Sequence, residues 1–321
     1  MTPAPDRPLR AGIVGARRVR QGLGPFVARD LTACGVSVDL VLGTSAGSAS
    51  AAAEQVAART GRPAPRATDD PDEFDAADLD LVCVLSPAGS HLRHVERALA
   101  AGRHVLCEKP LLWTPETDWA GVAGDLEARF RRARLVLAVN AQWPWSLDAH
   151  AAATGPRGDL VRTLAMGLTP ASVGLQMIGD ALPHPVSLAQ ALRPDLERTA
   201  AVEIDRRRPD TMEVRLVLEG ERGELEVQVH LAASAASTPR AAWYAVDGRR
   251  ADRVVEPRDY SLSLRSADRE VPLPDPLTAR IRSFVEQVRS GAPCPWTRPG
   301  DLGRRAAILA AAASAHGPDR P

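Results

Sequence analysis

The sequence predicts two α/β architectures in series: a doubly wound parallel sheet first, then an α+β domain with an open, largely antiparallel sheet. Three observations carry this. Short apolar runs alternate with helical stretches from residue 9 to residue 139, a spacing that calls for crossover connections and parallel pairing. Past Asn140 the texture changes, with an aromatic turn at Gln142-Trp143-Pro144-Trp145 and a breaker cluster at Thr154-Gly155-Pro156-Arg157-Gly158, and the later strands alternate polar with apolar residues. The chain, 321 residues long, can form two domains with buried cores. The boundary is expected between residues 142 and 143, giving domains 1–142 and 143–321.

The first strand is expected over 9–14, followed by the turn from Gly15 to Gly24 and a helix over 26–34 that starts near Pro25, where a missing N–H costs nothing. A second strand over 36–42 ends at Gly43-Thr44-Ser45, and the Ala-rich run to residue 59 forms a helix. A third strand, 79–85, is almost wholly apolar, as in a sheet covered on both faces. The turn Ser86-Pro87-Ala88-Gly89-Ser90-His91 leads into a helix to residue 101 and a strand at 104–106 that runs into Cys107-Glu108-Lys109-Pro110. A helix over 116–132 and a strand over 134–139 complete the series.

In the second part, strands are expected at 160–168, 200–205, 212–219, 224–231, 243–247 and 261–265, with helices at 186–192, 276–290 and 299–315. Glu219-Gly220-Glu221-Arg222-Gly223 has the length of a hairpin turn. Alternation puts Met212, Val214, Leu216 and Leu218 on one face with Leu225, Val227 and Val229. The other face holds Glu213, Arg215, Glu224, Glu226 and Gln228, together with Val217 and Leu231.

Lys and Arg total 40 and so do Asp and Glu, which leaves no electrostatic footprint for nucleic acid or an anionic membrane. The polar, Pro-rich start of the chain has no signal-peptide core, and no apolar run is long enough to span a bilayer, so a soluble cytoplasmic protein is expected. Cys34, Cys83, Cys107 and Cys294 stand far apart, which argues against a zinc site or a disulfide framework. Only one of the 40 basic residues is a lysine, Lys109; the other 39 are arginines. An ammonium titrates when buried and a guanidinium practically does not, so an amine kept at the carboxyl end of a strand points to chemistry.

With Glu108-Lys109-Pro110, the first domain and the second sheet in view, the chain resembles the Gfo/Idh/MocA oxidoreductases, which join a dinucleotide-binding Rossmann domain to an open-sheet substrate domain. Ser86-Pro87 to His91 resembles the family's cofactor loop, and residues 284–295 its late helix and Gly-Pro turn. Gly179-Asp180-Ala181-Leu182-Pro183-His184 resembles its Asp-x-x-x-His motif, whose spacing lets two side chains share a helical face. The resemblance implies that Lys109 polarises the substrate oxygen, His184 is the general acid/base and Asp180 orients it. A histidine suits removal of a carbinol proton. It also implies cofactor contacts from Gly15, Arg17, Arg18, Gly22, Gly24, Thr44, Ser45, Ser86, Pro87, His91, Glu108 and Lys109. His91 and His94 have a spacing that permits metal ligation, but no carboxylate or thiol stands at ligand spacing, and no metal is expected. The aromatic turn at Trp143 and Trp145 is expected in the core rather than lining a pocket.

The glycine pattern departs from the family's Gly-x-Gly-x-x-Gly, because Arg17 and Arg20 stand at the second and third positions. Two readings follow: an enlarged turn that brings Gly22 and Gly24 to the helix start, with arginines folding over phosphate, or a weakened or lost dinucleotide site. The acid expected after the second strand to grip the adenosine ribose is also missing, Ser45 following Thr44 there, so NADP(H) is favoured over NAD(H). The expected activity is hydride transfer to or from the hydroxyl/carbonyl group of a sugar, polyol or cyclic small-molecule substrate. A non-redox elimination, cyclisation or isomerisation, or a ligand sensor, are the alternatives. The mixed polar face of the second sheet suggests a homo-oligomer, a dimer or tetramer, built through that sheet.

Overall fold

The computed structural model describes residues 7–19, 22–113, 118–234 and 240–317. They gather into two compact units: Met1–Thr117, Val122–Asn140 and Leu277–Cys294 form the first, and Asp118–Gly121, Ala141–Pro276 and Pro295–Pro321 the second.

The first unit contains β1 (Arg10–Val14), α1 (Gly24–Ala33), β2 (Ser37–Leu42), α2 (Ala46–Thr60), β3 (Arg66–Thr68), α3 (Pro71–Ala76), β4 (Leu81–Val84), α4 (His91–Ala100), β5 (His104–Cys107), α5 (Trp119–Arg132) from Val122 on, and β6 (Leu137–Val139). The six strands are all parallel in the order β3-β2-β1-β4-β5-β6. Strand β3 was not expected; with three residues, two of them exposed, it is too short to show a period and pairs only at the edge, with β2. The expected helix start at Glu116 lies outside the described residues.

The second unit carries α6 (Leu147–Thr154), β7 (Thr163–Leu168), α7 (Gln176–Ala181), α8 (Pro183–Leu192), β8 (Leu196–Arg208), β9 (Thr211–Gly220), β10 (Gly223–Ala232), β11 (Ala242–Val246), β12 (Arg249–Val255), β13 (Leu262–Arg265) and β14 (Glu270–Leu273). The chain then enters α9 (Pro276–Ser290) and ends in α10 (Asp301–His316). The sheet order is β14-β13-β12-β11-β7-β10-β9-β8, antiparallel except for the β7–β10 pair. Gly220 pairs with Gly223 across the expected hairpin, and Gly223 supplies the positive φ of +91° that the turn needs. Leu231, expected on the polar face, is buried opposite Met212, because the two-residue period from Leu225 runs straight through it. Strand β12 escaped notice because its Arg-Arg-Ala-Asp-Arg start hides the alternation.

Helix α9, expected within 143–321, returns to the first unit from Leu277 on. Leu277, Ile281, Phe284, Val285 and Val288 recur at helical spacing and pack into one core cluster with Ile13, Val27, Leu31, Cys83 and Leu106. Burial of that stripe outweighs proximity in sequence. Arg280 of α9 is itself buried and donates from Nε to the Val139 carbonyl at 3.0 Å, pinning the end of β6.

Candidate active site

In the first unit the strand order reverses between β1 and β4, and in open parallel sheets ligands bind at the carboxyl ends of the strands beside such a reversal. The turns that follow these two strands touch. Gly15 has φ +75°, and a Cβ there would lie 2.8 Å from both Cα and N of Ser86. The other end of the glycine-rich turn is just as tight: a Cβ on Gly24 would meet the Ala16 carbonyl at 1.9 Å. Helix α1 begins at Gly24 with Pro25 in its first turn, so Gly22 and Gly24 stand at its N-terminus, as an enlarged turn requires. Arg17 is exposed. The Arg18 N–H donates to Gln55 Oε1 at 2.7 Å, and its guanidinium lies 4.6 Å from the centre of the Phe26 ring, which Arg59 also approaches at 4.3 Å. Arg20 lies outside the described residues.

Thr44 and Ser45 form the exposed turn after β2. Ser45 caps α2, its hydroxyl accepting from the Ser48 N–H at 3.2 Å. After β4, the Ser86 and Ser90 hydroxyls bond each other at 2.7 Å and Pro87 is exposed.

Strand β5 delivers Glu108-Lys109-Pro110 at its carboxyl end, where the Glu108 N–H still donates to the Val84 carbonyl at 2.8 Å and the Lys109–Pro110 bond is cis. The Asn140 side-chain amide donates to Glu108 Oε1, and the Asn140 N–H donates to the Cys107 carbonyl at 2.7 Å. Burial raises the Glu108 carboxyl above its ordinary value, opposed by the bond from Asn140 and the charge of Lys109. The Cys83 thiol is pushed up to about 12 by burial, so it stays protonated.

His91, expected among the cofactor contacts, is only 1% exposed. Its Nδ1 is 2.8 Å from the Pro110 carbonyl and its Nε2 is 2.7 Å from the Ser86 carbonyl. Burial pushes the ring toward its neutral form, with Lys109 adding in the same direction, while the carbonyls of Ser86, Pro110 and Leu111 favour the proton. The ring thus spans the turn after β4 and the turn that carries Lys109. Among the described residues no group of three or more His, Cys, Asp or Glu is arranged to hold a metal ion.

In the second unit, Asp180 ends α7 and His184 opens α8; Leu182 between them keeps helical angles, and its N–H donates to Ile178 O at 2.9 Å. The two side chains therefore stand one turn apart. Asp180 Oδ2 accepts from the Ala171 N–H at 3.2 Å and from the Ser172 hydroxyl at 3.5 Å. The half-buried His184 ring meets Trp143 edge-on, with centroids 6.3 Å apart, and the buried Trp143 packs in turn on Tyr244 at 5.7 Å. Reasoning from sequence missed Asn140 and Gln55 as partners of the site. Asn140 had a signal, a polar residue directly after an apolar parallel strand; Gln55, inside an Ala-rich helix, had none.

A six-stranded parallel sheet in this order, with its glycine-rich turn and helix N-terminus at the reversal, defines a dinucleotide-binding Rossmann unit. Residues 9–122 match the Gfo/Idh/MocA family model, described as an oxidoreductase family with an NAD-binding Rossmann fold. It is 35% identical over 137 residues to the inositol 2-dehydrogenase of Leifsonia xyli subsp. xyli, a match covering 43% of this chain and 37% of that relative's length. The fold is shared along almost the whole chain with solved structures. The UDP-N-acetylglucosamine 3-dehydrogenase of Acidithiobacillus ferrooxidans is similar with a TM-score of 0.69 and 21% identity, covering 96% of this chain and 97% of that one. GenD2 of gentamicin A biosynthesis, in complex with NAD, gives 0.70 and 20%, covering 98% and 96%. A 3-ketoreductase from Actinomadura kijaniata, in complex with TDP-benzene and NADP, gives 0.67 and 23%, covering 95% and 96%. Among the described residues no helix is long and apolar enough to cross a membrane.

Proposed function

We propose that the protein is an NADP(H)-dependent oxidoreductase acting on the hydroxyl/carbonyl pair of a sugar, polyol or cyclic metabolite. The observation that carries this reading is Lys109, the chain's single lysine, set at the carboxyl end of β5 with its neighbours Glu108 and Pro110 each held by a buried side chain. A nicotinamide dinucleotide fits the first unit: Gly15 and Gly24 are places where a Cβ would collide with backbone, and the α1 N-terminus favours an anion. When bound, that cofactor supplies the hydride donor or acceptor.

In this reading Lys109 polarises the substrate oxygen, His184 takes or returns the hydroxyl proton, and Asp180 keeps the histidine in place. The Trp143 edge limits how far the His184 ring can turn. A 2′-phosphate meets no carboxylate in the Gly43-Thr44-Ser45 turn after β2, while Arg17 and Arg18 offer positive charge, which supports NADP(H) over NAD(H). Lys109→Ala should stay folded and lose about 10²-fold or more in turnover. Near wild-type turnover in that variant would refute the assignment. The altered glycine pattern, with Arg17 at the place of the second glycine, favours one competing reading, a non-redox enzyme; failure to bind NADPH at millimolar concentration would exclude the oxidoreductase.

We also assign the protein to the reducing cytoplasm, since its four cysteines are all unpaired, and propose a two-fold homo-oligomer through the second sheet. Its open face carries both signs, with Arg215 paired to Glu203 and Glu226 and His230 to Glu213, and it carries an aromatic group in which Arg250 lies 4.1 Å over Trp243. Light scattering decides this: a mass near 34.2 kDa at all micromolar concentrations rejects it.

A further inference from the structure

We propose that His91 is a positioning residue that holds the Lys109 turn against the turn after β4, with Asn140 as its counterpart on the other side of the amine. The inference rests on Lys109 being the working group of the proposed function. Both side chains are 1% exposed, too deeply placed to touch a substrate, and both act on the immediate neighbours of Lys109. His91 reaches the Pro110 carbonyl at 2.8 Å and Asn140 the Glu108 carboxylate. The other nitrogen of His91 reaches the Ser86 carbonyl at 2.7 Å, and Ser86 is the residue whose backbone a Cβ on Gly15 would strike. One ring therefore joins the turns after β4 and β5, and the turn after β1 lies against the first of these.

A neutral imidazole has one N–H and two carbonyls here to serve. A second proton is opposed by burial, by the charge of Lys109 and by the N-terminal end of α4; His94, one turn along that helix, is itself pushed down to about 4, mainly by burial, and the Ser86 turn adds no titratable side chain. The single N–H can donate to the Ser86 carbonyl from Nε2 or to the Pro110 carbonyl from Nδ1, one at a time, so whatever moves the Ser86 carbonyl biases the tautomer and with it the grip on the Lys109 turn.

Because Lys109 is the only lysine, lysine labelled with carbon-13 at Cε gives one side-chain signal in the intact protein. His91→Asn and Asn140→Ala are each expected to move that signal and its titration midpoint, while His94→Asn leaves both in place. A Lys109 signal and midpoint unchanged in His91→Asn overturns the proposal. Should that variant fail to fold, the reciprocal measurement decides: the His91 ring nitrogen-15 signals differ between the wild type and Lys109→Met if the two residues are coupled, and identical ring signals overturn the idea. Neither readout uses turnover or added cofactor. Absence of NADPH binding, followed by cofactor fluorescence, would count against the oxidoreductase reading alone.

Discussion

Replacing Arg193 with methionine keeps most of the side chain's volume and removes a guanidinium that is 1% exposed. That group makes five bonds within the second unit. Nε and Nη2 grip Asp195 at 2.8 and 2.7 Å, Nη2 also donates to the Gly223 carbonyl at 2.8 Å, and Nη1 donates to Val161 and Glu224 carbonyls at 3.0 and 3.3 Å. The arginine thus ties the residues just after α8 to the turn before β10 and to the approach to β7. Removing one partner of a buried ion pair costs about 3–5 kcal/mol. Asp195 keeps the Arg222 N–H at 3.0 Å and some contact with water, which places the expected loss at the lower end, near 3 kcal/mol. For a unit of this size that corresponds to a fall of about 10 °C in melting temperature. Calorimetry together with urea denaturation measures it. Arg193→Met with Asp195→Asn should recover part of the loss, because the carboxylate is no longer left unpaired. The same arginine holds the Asp195 carboxyl well below the usual carboxylate range, so its stabilisation is full above the ordinary value of 3.8 and fades as pH falls below it. A loss under about 1 kcal/mol in the single variant, or no recovery in the double one, would refute the reasoning.

Two further perturbations have signs that follow from geometry. His150, buried with Nε2 3.1 Å from the Arg249 carbonyl and stacked on Tyr244 at 4.4 Å, is pushed down from 6.5 to about 4, mainly by burial. The unfolded chain therefore takes up that proton first. Stability should be full above pH 6.5 and fall by on the order of 3 kcal/mol toward pH 4, and His150→Phe should flatten that limb in urea titrations at stepped pH. Gly24→Ala drives a Cβ into the Ala16 backbone, which must shift, so a loss of about 1–3 kcal/mol is expected, with weaker NADPH binding in a fluorescence titration. An unchanged urea midpoint there would mean that the glycine-rich turn yields freely.

Features encoded in short stretches were legible without coordinates. The apolar runs of the first unit, the Gly220 to Gly223 hairpin, the start of α1 near Pro25, α9 over Pro276–Ser290 and Lys109 at the end of β5 all follow from local periodicity, turn chemistry or composition. Such signals arise because helices and strands impose periods of about 3.6 and 2 on the residues they bury. Only the tertiary structure decided that α9 serves the first unit, that β3, β12 and β14 join the sheets, and that His91 turns its ring to backbone carbonyls. The reason is shared by His91, Asn140, Arg193 and Arg280. Their side chains are buried, and three of them bond main-chain carbonyls, in partners 19 residues away for His91 and 141 for Arg280. A carbonyl is offered by every residue type, so a bond to one leaves no mark on the partner's identity. Asn140 does reach a side chain, that of Glu108, but across 32 residues that no local pattern connects.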